Sequence, residues 1–204
     1  KGDMMDRREQ IMLATLKLAS ERGLSNVSLS DIGREVGIRK ASLYNHFTSK
    51  EEIVSALYEY LRDQSYRRLA APPADIGAFI RGKTALQVLM AGLDNYWQLV
   101  TSPDMKHFYR LILSERVFSK AAADILCRET ERMILGTKQL FYALQVHGMI
   151  RVPHIDIAAV AYAMTIHGLI EYRIDREVAG LAEDDTLLPD FVRAFCAQYA
   201  TDQA

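Results

Sequence analysis

From Ile38 to Ile53 the chain reads IRKASLYNHFTSKEEI, and the stretch between Arg39 and Ser49 holds Lys40, Ser42, Asn45 and His46 but no carboxylate. These side chains suit the floor of a DNA major groove. Asn and Ser pair with donors and acceptors on base edges, Arg39 can bond a guanine or a phosphate, and small residues such as Ala41 let a helix come close to the bases. The same pattern also describes an ordinary solvated surface helix.

The elements that must position these residues are short. The spacing predicts a helix over 40–47, about 12 Å long at 1.5 Å per residue. Leu43, Tyr44 and Phe47 fall on one arc of its wheel, and Ala41, Ser42, Asn45 and His46 on the other. Ahead of it, Ser28-Leu-Ser-Asp31 has capping-box spacing with Asp in place of Glu, and Gly37 interrupts the pattern after Ile32 and Val36. Two short helices joined through Gly37 form a helix-turn-helix, the second being the recognition helix. Behind it, Thr48-Ser-Lys-Glu51 reads as a fuller capping box, starting a fourth helix that reaches Arg68 on the Ile53, Leu57, Leu61 stripe. A first helix over 6–22 places Ile11, Ala14 and Leu18 on one face, and Gly23 is placed to end it in a left-handed cap.

Ala71-Pro-Pro-Ala74 breaks the fourth helix, since proline lacks the amide hydrogen and restrains its predecessor. It sets the boundary between an N-terminal domain over 1–70 and a larger domain over 75–204. Further helices are expected over 83–100, 104–116, 119–146, 155–178 and 187–199, with breaks at Ser102-Pro103, His147-Gly148, Val152-Pro153 and 183–185. The fold class is all-α, with about nine helices.

The 204 residues are half hydrophobic, enough for a sizeable core, and the net charge of -1 argues against a generally basic nucleic-acid coat. Residues 1–68 hold 12 Lys and Arg against 10 Asp and Glu, and the remainder 13 against 16, so the small positive excess lies in the N-terminal part. Cys127 and Cys196 are too few for a disulfide framework and lack zinc-site spacing. No apolar run of membrane-spanning length occurs, and the expectation is a cytoplasmic protein with no membrane partner. His167 and Glu171 stand at i, i+4, but no third and fourth ligand is identifiable, so neither metal nor cofactor is expected.

The run from Ile11 to Leu61, with Gly23, Ser28-Leu-Ser-Asp-Ile, Val36-Gly-Ile and SLYNHFTSKEEI, resembles the N-terminal domain of the TetR family of bacterial transcriptional regulators. The resemblance implies that Ser28 caps the second helix and contacts a phosphate, and that Tyr44, His46 and Lys50 reach the DNA backbone. It implies that Ala41, Ser42 and Asn45 lie nearest the bases, and that Leu43 and Phe47 are internal. Arg39 and Lys40 introduce the helix and join this DNA-binding set. Two positions depart from the family: Arg39 stands where a small hydroxyl residue usually caps the recognition helix, and Gly33 where Ala is usual.

The larger domain shows no GxGxxG, P-loop, GxSxG or HExxH pattern, and nothing in it supports an enzyme. Its aromatic residues build either an ordinary core or a cavity for a small organic effector. Trp97, Phe108, Met133, Phe141 and Tyr162 are the apolar candidates for such a lining, and Asn95, His107, Gln139 and His167 the polar ones. Ile155, Ala159, Tyr162, Ile166 and Ile170 fall on one helix face, and Leu188, Phe191, Val192, Phe195 and Tyr199 on another. These faces either close the monomer core or form a four-helix homodimer interface, which the resemblance favours. The resemblance implies a homodimeric regulator, most simply a repressor, that binds a palindromic double-stranded DNA operator, associates with the nucleoid when bound, and is released by its effector. The alternatives are a small-molecule binding protein with a vestigial DNA head and a regulator controlled by a protein partner.

Overall fold

The computed structural model describes residues 6–69, 76–182 and 186–201, with the backbone alone at 64–69 and 104. The proline break at 71–74 and the acidic stretch 183–185 lie outside the described residues. Ten α-helices occur among them: α1 Arg7–Arg22, α2 Leu29–Val36, α3 Lys40–Leu43, α4 Lys50–Leu69, α5 Ile76–Ile80, α6 Ala85–Thr101, α7 Pro103–Glu115, α8 Lys120–Val146, α9 Ile155–Val178 and α10 Leu187–Tyr199. The all-α expectation holds, with one more α-helix than the sequence pattern gave. Helix α5 is too short to show periodicity, and a 3-10 turn over Leu24–Asn26 follows α1.

Local chemistry sets the helix ends. Thr84 and Gln87 form a reciprocal cap at the start of α6, with Gln87 N–H donating to Thr84 Oγ1 (3.2 Å) and Thr84 N–H to Gln87 Oε1 (2.8 Å). Pro103 takes the first position of α7, where its missing amide hydrogen costs nothing. Two expected caps differ. Gly23 has positive φ (82°) but extended ψ (144°), so it turns the chain into the 3-10 segment rather than closing a left-handed cap. The cap expected at Thr48 and Glu51 sits one residue later: Ser49 Oγ accepts from the Glu52 amide (3.2 Å), and α4 starts at Lys50.

The chain divides into two compact units, residues 1–68 with 100–129, and 69–99 with 130–204. In the first, α1 packs on α2 and α7, and Ile11, Ile32, Leu43, Ile53, Leu57, Leu111 and Ile112 are fully buried. Each such side chain contributes about 1.5–3 kcal/mol as an upper estimate. Thr15, buried among them, donates its hydroxyl to the Ile11 carbonyl (2.8 Å), which removes the penalty of an unmet polar group.

In the second unit, rings from α8, α9 and α10 form one cluster. Phe141 lies 5.3 Å from Tyr162 and 5.2 Å from Phe195, and Tyr162 lies 5.4 Å from Phe191 and 5.0 Å from Phe195 between centroids. Phe195 also meets Tyr199 at 4.9 Å. Antiparallel pairing of Ile150 with Ala200 ties the α8–α9 connection to the end of α10.

Candidate nucleic-acid interface

Three local devices set the helix-turn-helix. At the start of α2, Ser28 Oγ accepts from Asp31 N–H (3.2 Å), while the Asp31 carboxylate accepts from Ser28 N–H (3.0 Å) and from the Ser28 hydroxyl (2.6 Å). These bonds, the hydroxyl first, hold the Asp31 carboxyl below the usual carboxylate range. At its end, Gly37 adopts the left-handed conformation (φ 75°, ψ 29°) that closes the turn. Between them, Gly33 O accepts from Ile38 N–H at 2.8 Å, drawing the turn against α2.

Helix α3 follows, started by Arg39 with no side-chain cap, as its residue type implied. Regular α-helix ends at Leu43, four residues earlier than expected, and the chain continues in turns. The amides of His46 (2.9 Å) and Phe47 (3.0 Å) both donate to the Leu43 carbonyl. Leu43 and Phe47 are buried and anchor the segment. Tyr44, placed by the wheel beside them, is instead 51% exposed, although its backbone keeps right-handed helical angles (φ -65°, ψ -14°). Arg39, Lys40, Ala41 and Asn45 are exposed, and Ser42 and His46 are half-buried.

Three acids near this face are paired within the unit. Asp31 meets Arg34 at 3.6 Å and Arg22 at 3.9 Å, Glu35 meets Lys17 at 2.7 Å, and Glu52 meets Arg8 at 3.5 Å. Among the described residues neither Arg39 nor Lys40 has an acidic partner, so their charge is directed to solvent. Ser28 has its hydroxyl hydrogen committed to Asp31. The Lys50 ammonium donates to the Leu24 carbonyl at 2.8 Å, binding the 3-10 turn to the start of α4.

Three participants were not singled out by spacing. Arg8 reaches from α1 to the segment after α3: its guanidinium stacks 3.9 Å from the Phe47 ring centroid, and its Nη1 donates to the His46 carbonyl. Glu52 accepts from both the amide (2.6 Å) and the hydroxyl (2.8 Å) of Thr48. Ile38 supplies the backbone that only glycine at 33 admits. Arg8 and Ile38 act through fold-dependent neighbours, whereas Glu52 stands at a capping spacing that competes with Glu51.

The effector candidates separate. His107, bonded to Ser20 Oγ at 2.6 Å, and the buried Phe108 belong to the first unit. Asn95, Trp97, Met133, Gln139, Phe141, Tyr162 and His167 belong to the second, where Asn95 and Gln139 are exposed and Phe141 and Tyr162 lie inside the ring cluster. Two polar contacts there join α6 and α9: the Tyr96 hydroxyl meets His167 Nδ1 at 3.4 Å, and the Arg173 guanidinium lies 4.1 Å from the Trp97 ring centroid. His167 Nε2 also stands 3.5 Å from Glu171. Burial of the Tyr162 hydroxyl, together with the nearby Cys196 thiol, pushes its pKa well above the usual value.

The residues expected on the dimer face lie mostly inward in the single chain. Ala159, Tyr162, Ile166, Ile170, Leu188, Val192 and Phe195 are buried within the single chain, and Ile155, Phe191 and Tyr199 are half-buried. Helical periodicity picked out the apolar face, and on α9 and α10 that face closes the unit's own core. The outward face of α9 carries Ile157, Ala161, Met164, Gly168 and Tyr172, all exposed.

Comparison with known proteins gives this geometry a context. Residues 11–57 match the sequence model of bacterial regulatory proteins, tetR family. The repressor KstR2 of Mycobacterium tuberculosis is 36% identical over 67 residues, covering 33% of this chain and 34% of KstR2. The chain spans about a third of the length of the curated relatives it matches. A TetR transcriptional regulator from Chloroflexus aurantiacus has the same fold over 95% of this chain and 96% of its own, with a TM-score of 0.72 and 18% identity. AibR, crystallised with isovaleryl coenzyme A and operator DNA, aligns over 80% of this chain and 83% of its own, with a TM-score of 0.55 and 19% identity. Among the described residues no helix is long and apolar enough to cross a membrane. The helix-turn-helix segment thus matches the tetR family of bacterial regulatory proteins over residues 11–57, and the chain shares the all-α fold of a TetR transcriptional regulator.

Proposed function

We propose that this protein is a ligand-responsive transcriptional repressor that binds a palindromic operator as a homodimer and is released by a small organic effector. The observation that carries the reading is the carboxylate-free face of the α3 segment, where Arg39, Lys40, Ala41, Tyr44 and Asn45 are exposed while Leu43 and Phe47 anchor the opposite side. In this reading Asn45, Ala41 and Ser42 read base edges and Arg39 contacts a guanine or phosphate, with Lys40, Tyr44, His46, Lys50 and Ser28 along the backbone. The names of two relatives support the class: one is a repressor, and another binds an acyl coenzyme A together with operator DNA.

One α3 segment covers a single half-site, so affinity and specificity need a second copy at a helical-turn spacing. The exposed α9 stripe from Ile157 to Tyr172 is the surface proposed for that pairing; Gly168 and Ala161 allow close approach and Ile157, Met164 and Tyr172 supply apolar area. The effector is assigned to the second unit, with Tyr96, Trp97, His167 and Arg173 on α6 and α9 as its first contacts. It can move the equilibrium only as far as it prefers the released state. The head over 1–70 and the body over 75–204 are the proposed division of labour.

The test is a gel-shift titration against fragments upstream of the protein's own gene at several salt concentrations. Affinity should fall linearly in log K against log salt, with a slope of about -0.9 for each phosphate neutralised. Absence of binding to every fragment, or binding indifferent to salt, overturns the reading.

A further inference from the structure

Arg8 lies outside the segment that matches the family model, in the first turn of α1. A cation there faces the positive end of the helix dipole, which is unfavourable, so its position asks for another reason. The structure supplies one. The Arg8 guanidinium lies over the Phe47 ring at 3.9 Å from its centroid, donates from Nη1 to the His46 carbonyl, and approaches Glu52 with Nη2 at 3.5 Å. Glu52 in turn takes the amide and hydroxyl of Thr48. Residues 46, 47 and 48 are therefore held by one planar cation and one carboxylate, at the point where regular helix has already ended.

We infer that Arg8 is a positioning residue for DNA recognition: it fixes the far end of the α3 segment, and with it Asn45 and His46, without itself touching the nucleic acid. The inference rests on the proposed function for its purpose, though not for its geometry. Regular α-helix covers only residues 40–43 of this segment, leaving Asn45 and His46 on turns whose amides donate to the Ser42 and Leu43 carbonyls. A guanidinium suits this role because its plane can stack on a ring while its edge donates along two directions. A lysine at the same place would supply charge without the plane.

The experiment uses the full chain and two variants, Arg8→Ala and Arg8→Lys. Amide hydrogen exchange is followed in the DNA-free protein, and affinity for an upstream DNA fragment across salt concentrations. In Arg8→Ala, exchange at His46 and Phe47 should accelerate about tenfold while the Ile32 amide in α2 is unchanged. DNA affinity should drop about tenfold, the size expected from loss of a charge-assisted hydrogen bond, at an unaltered salt slope. Arg8→Lys should restore neither. Unchanged exchange at His46 and Phe47, or full restoration by Arg8→Lys, overturns the inference. A salt slope smaller in magnitude by about one also overturns it, by making Arg8 a phosphate ligand. If the wild-type chain binds no DNA, the proposed function fails, while the exchange measurement still decides whether Arg8 holds the turn.

Discussion

A Cβ added to Gly33 would stand 2.8 Å from the carbonyl oxygen of Ile38, closer than side-chain carbons approach backbone oxygen in folded proteins. The neighbour is backbone in the turn that sets α3 against α2, so no flexible side-chain end can yield. Gly33→Ala should gain about 1 kcal/mol of helix propensity and lose about 1–3 kcal/mol to overpacking, a net destabilisation of up to about 2 kcal/mol. Urea unfolding measures it. A variant more stable than wild type would show that the turn moves freely, contrary to the close approach seen here.

Arg39 occupies the cap position of α3 without capping it. Arg39→Ser should therefore raise the stability of the head by about 1 kcal/mol. The same change should weaken operator binding, since it removes a cation that has no partner within the described residues. Thermal unfolding and gel shift on one preparation test both directions, and a variant that gains affinity rejects Arg39 as a DNA contact.

Asn45→Ala should change base preference at one operator position by about 1–3 kcal/mol, with little effect on salt dependence. Lys50→Ala should weaken all sequences alike. Because the Lys50 ammonium also bonds the Leu24 carbonyl, that variant should in addition loosen the 3-10 turn, visible as faster amide exchange at Val27. A panel of single-base operator variants separates the two roles, and exchanged patterns would reject the assignment.

Acid should weaken the head through two carboxylates. Ser28 bonds lower the Asp31 pKa from its ordinary 3.8, and the Thr48 amide, then its hydroxyl, lower Glu52 from 4.5. A depressed folded pKa contributes stability that is present above the ordinary value and lost as pH falls through the depressed one. The Tm advantage of wild type over Glu52→Gln should thus be constant above pH 4.5 and shrink below it. An advantage that grows on acidification would contradict the sign.

On α9, Met164→Glu should give a monomer of unchanged helix content in sedimentation and circular dichroism, and should abolish cooperative operator binding. Phe141→Ala, in the buried ring cluster, should instead cost about 3–5 kcal/mol of stability. Dimers that survive Met164→Glu would move the interface off the Ile157 to Tyr172 stripe.

Much of the head was legible because its signals are local. The Ser28 and Asp31 cap, the helix break at Gly37 and the buried Leu43 and Phe47 each follow from residue type and spacing within a few positions, whereas the left-handed cap expected at Gly23 forms at Gly37 instead. The Thr48 cap was misplaced by one residue because Thr48-Glu51 and Ser49-Glu52 both satisfy the same four-residue pattern, and only the backbone selects between them. The α9 and α10 faces show the limit from the other side. Periodicity finds an apolar stripe, but whether it meets the chain's own helices or a second copy depends on what else lies nearby, and here Phe141 on α8 fills that place.

By itself the sequence determined the all-α class, the helix-turn-helix and the carboxylate-free outward face of α3, since these depend on periodicity, caps and composition along neighbouring residues. Tertiary structure alone decided that Gly33 admits the Ile38 carbonyl and that Arg8 reaches across 38 residues to His46. Those outcomes arise where segments distant in sequence compete for the same space or the same hydrogen bond, and no local rule sets the result of that competition.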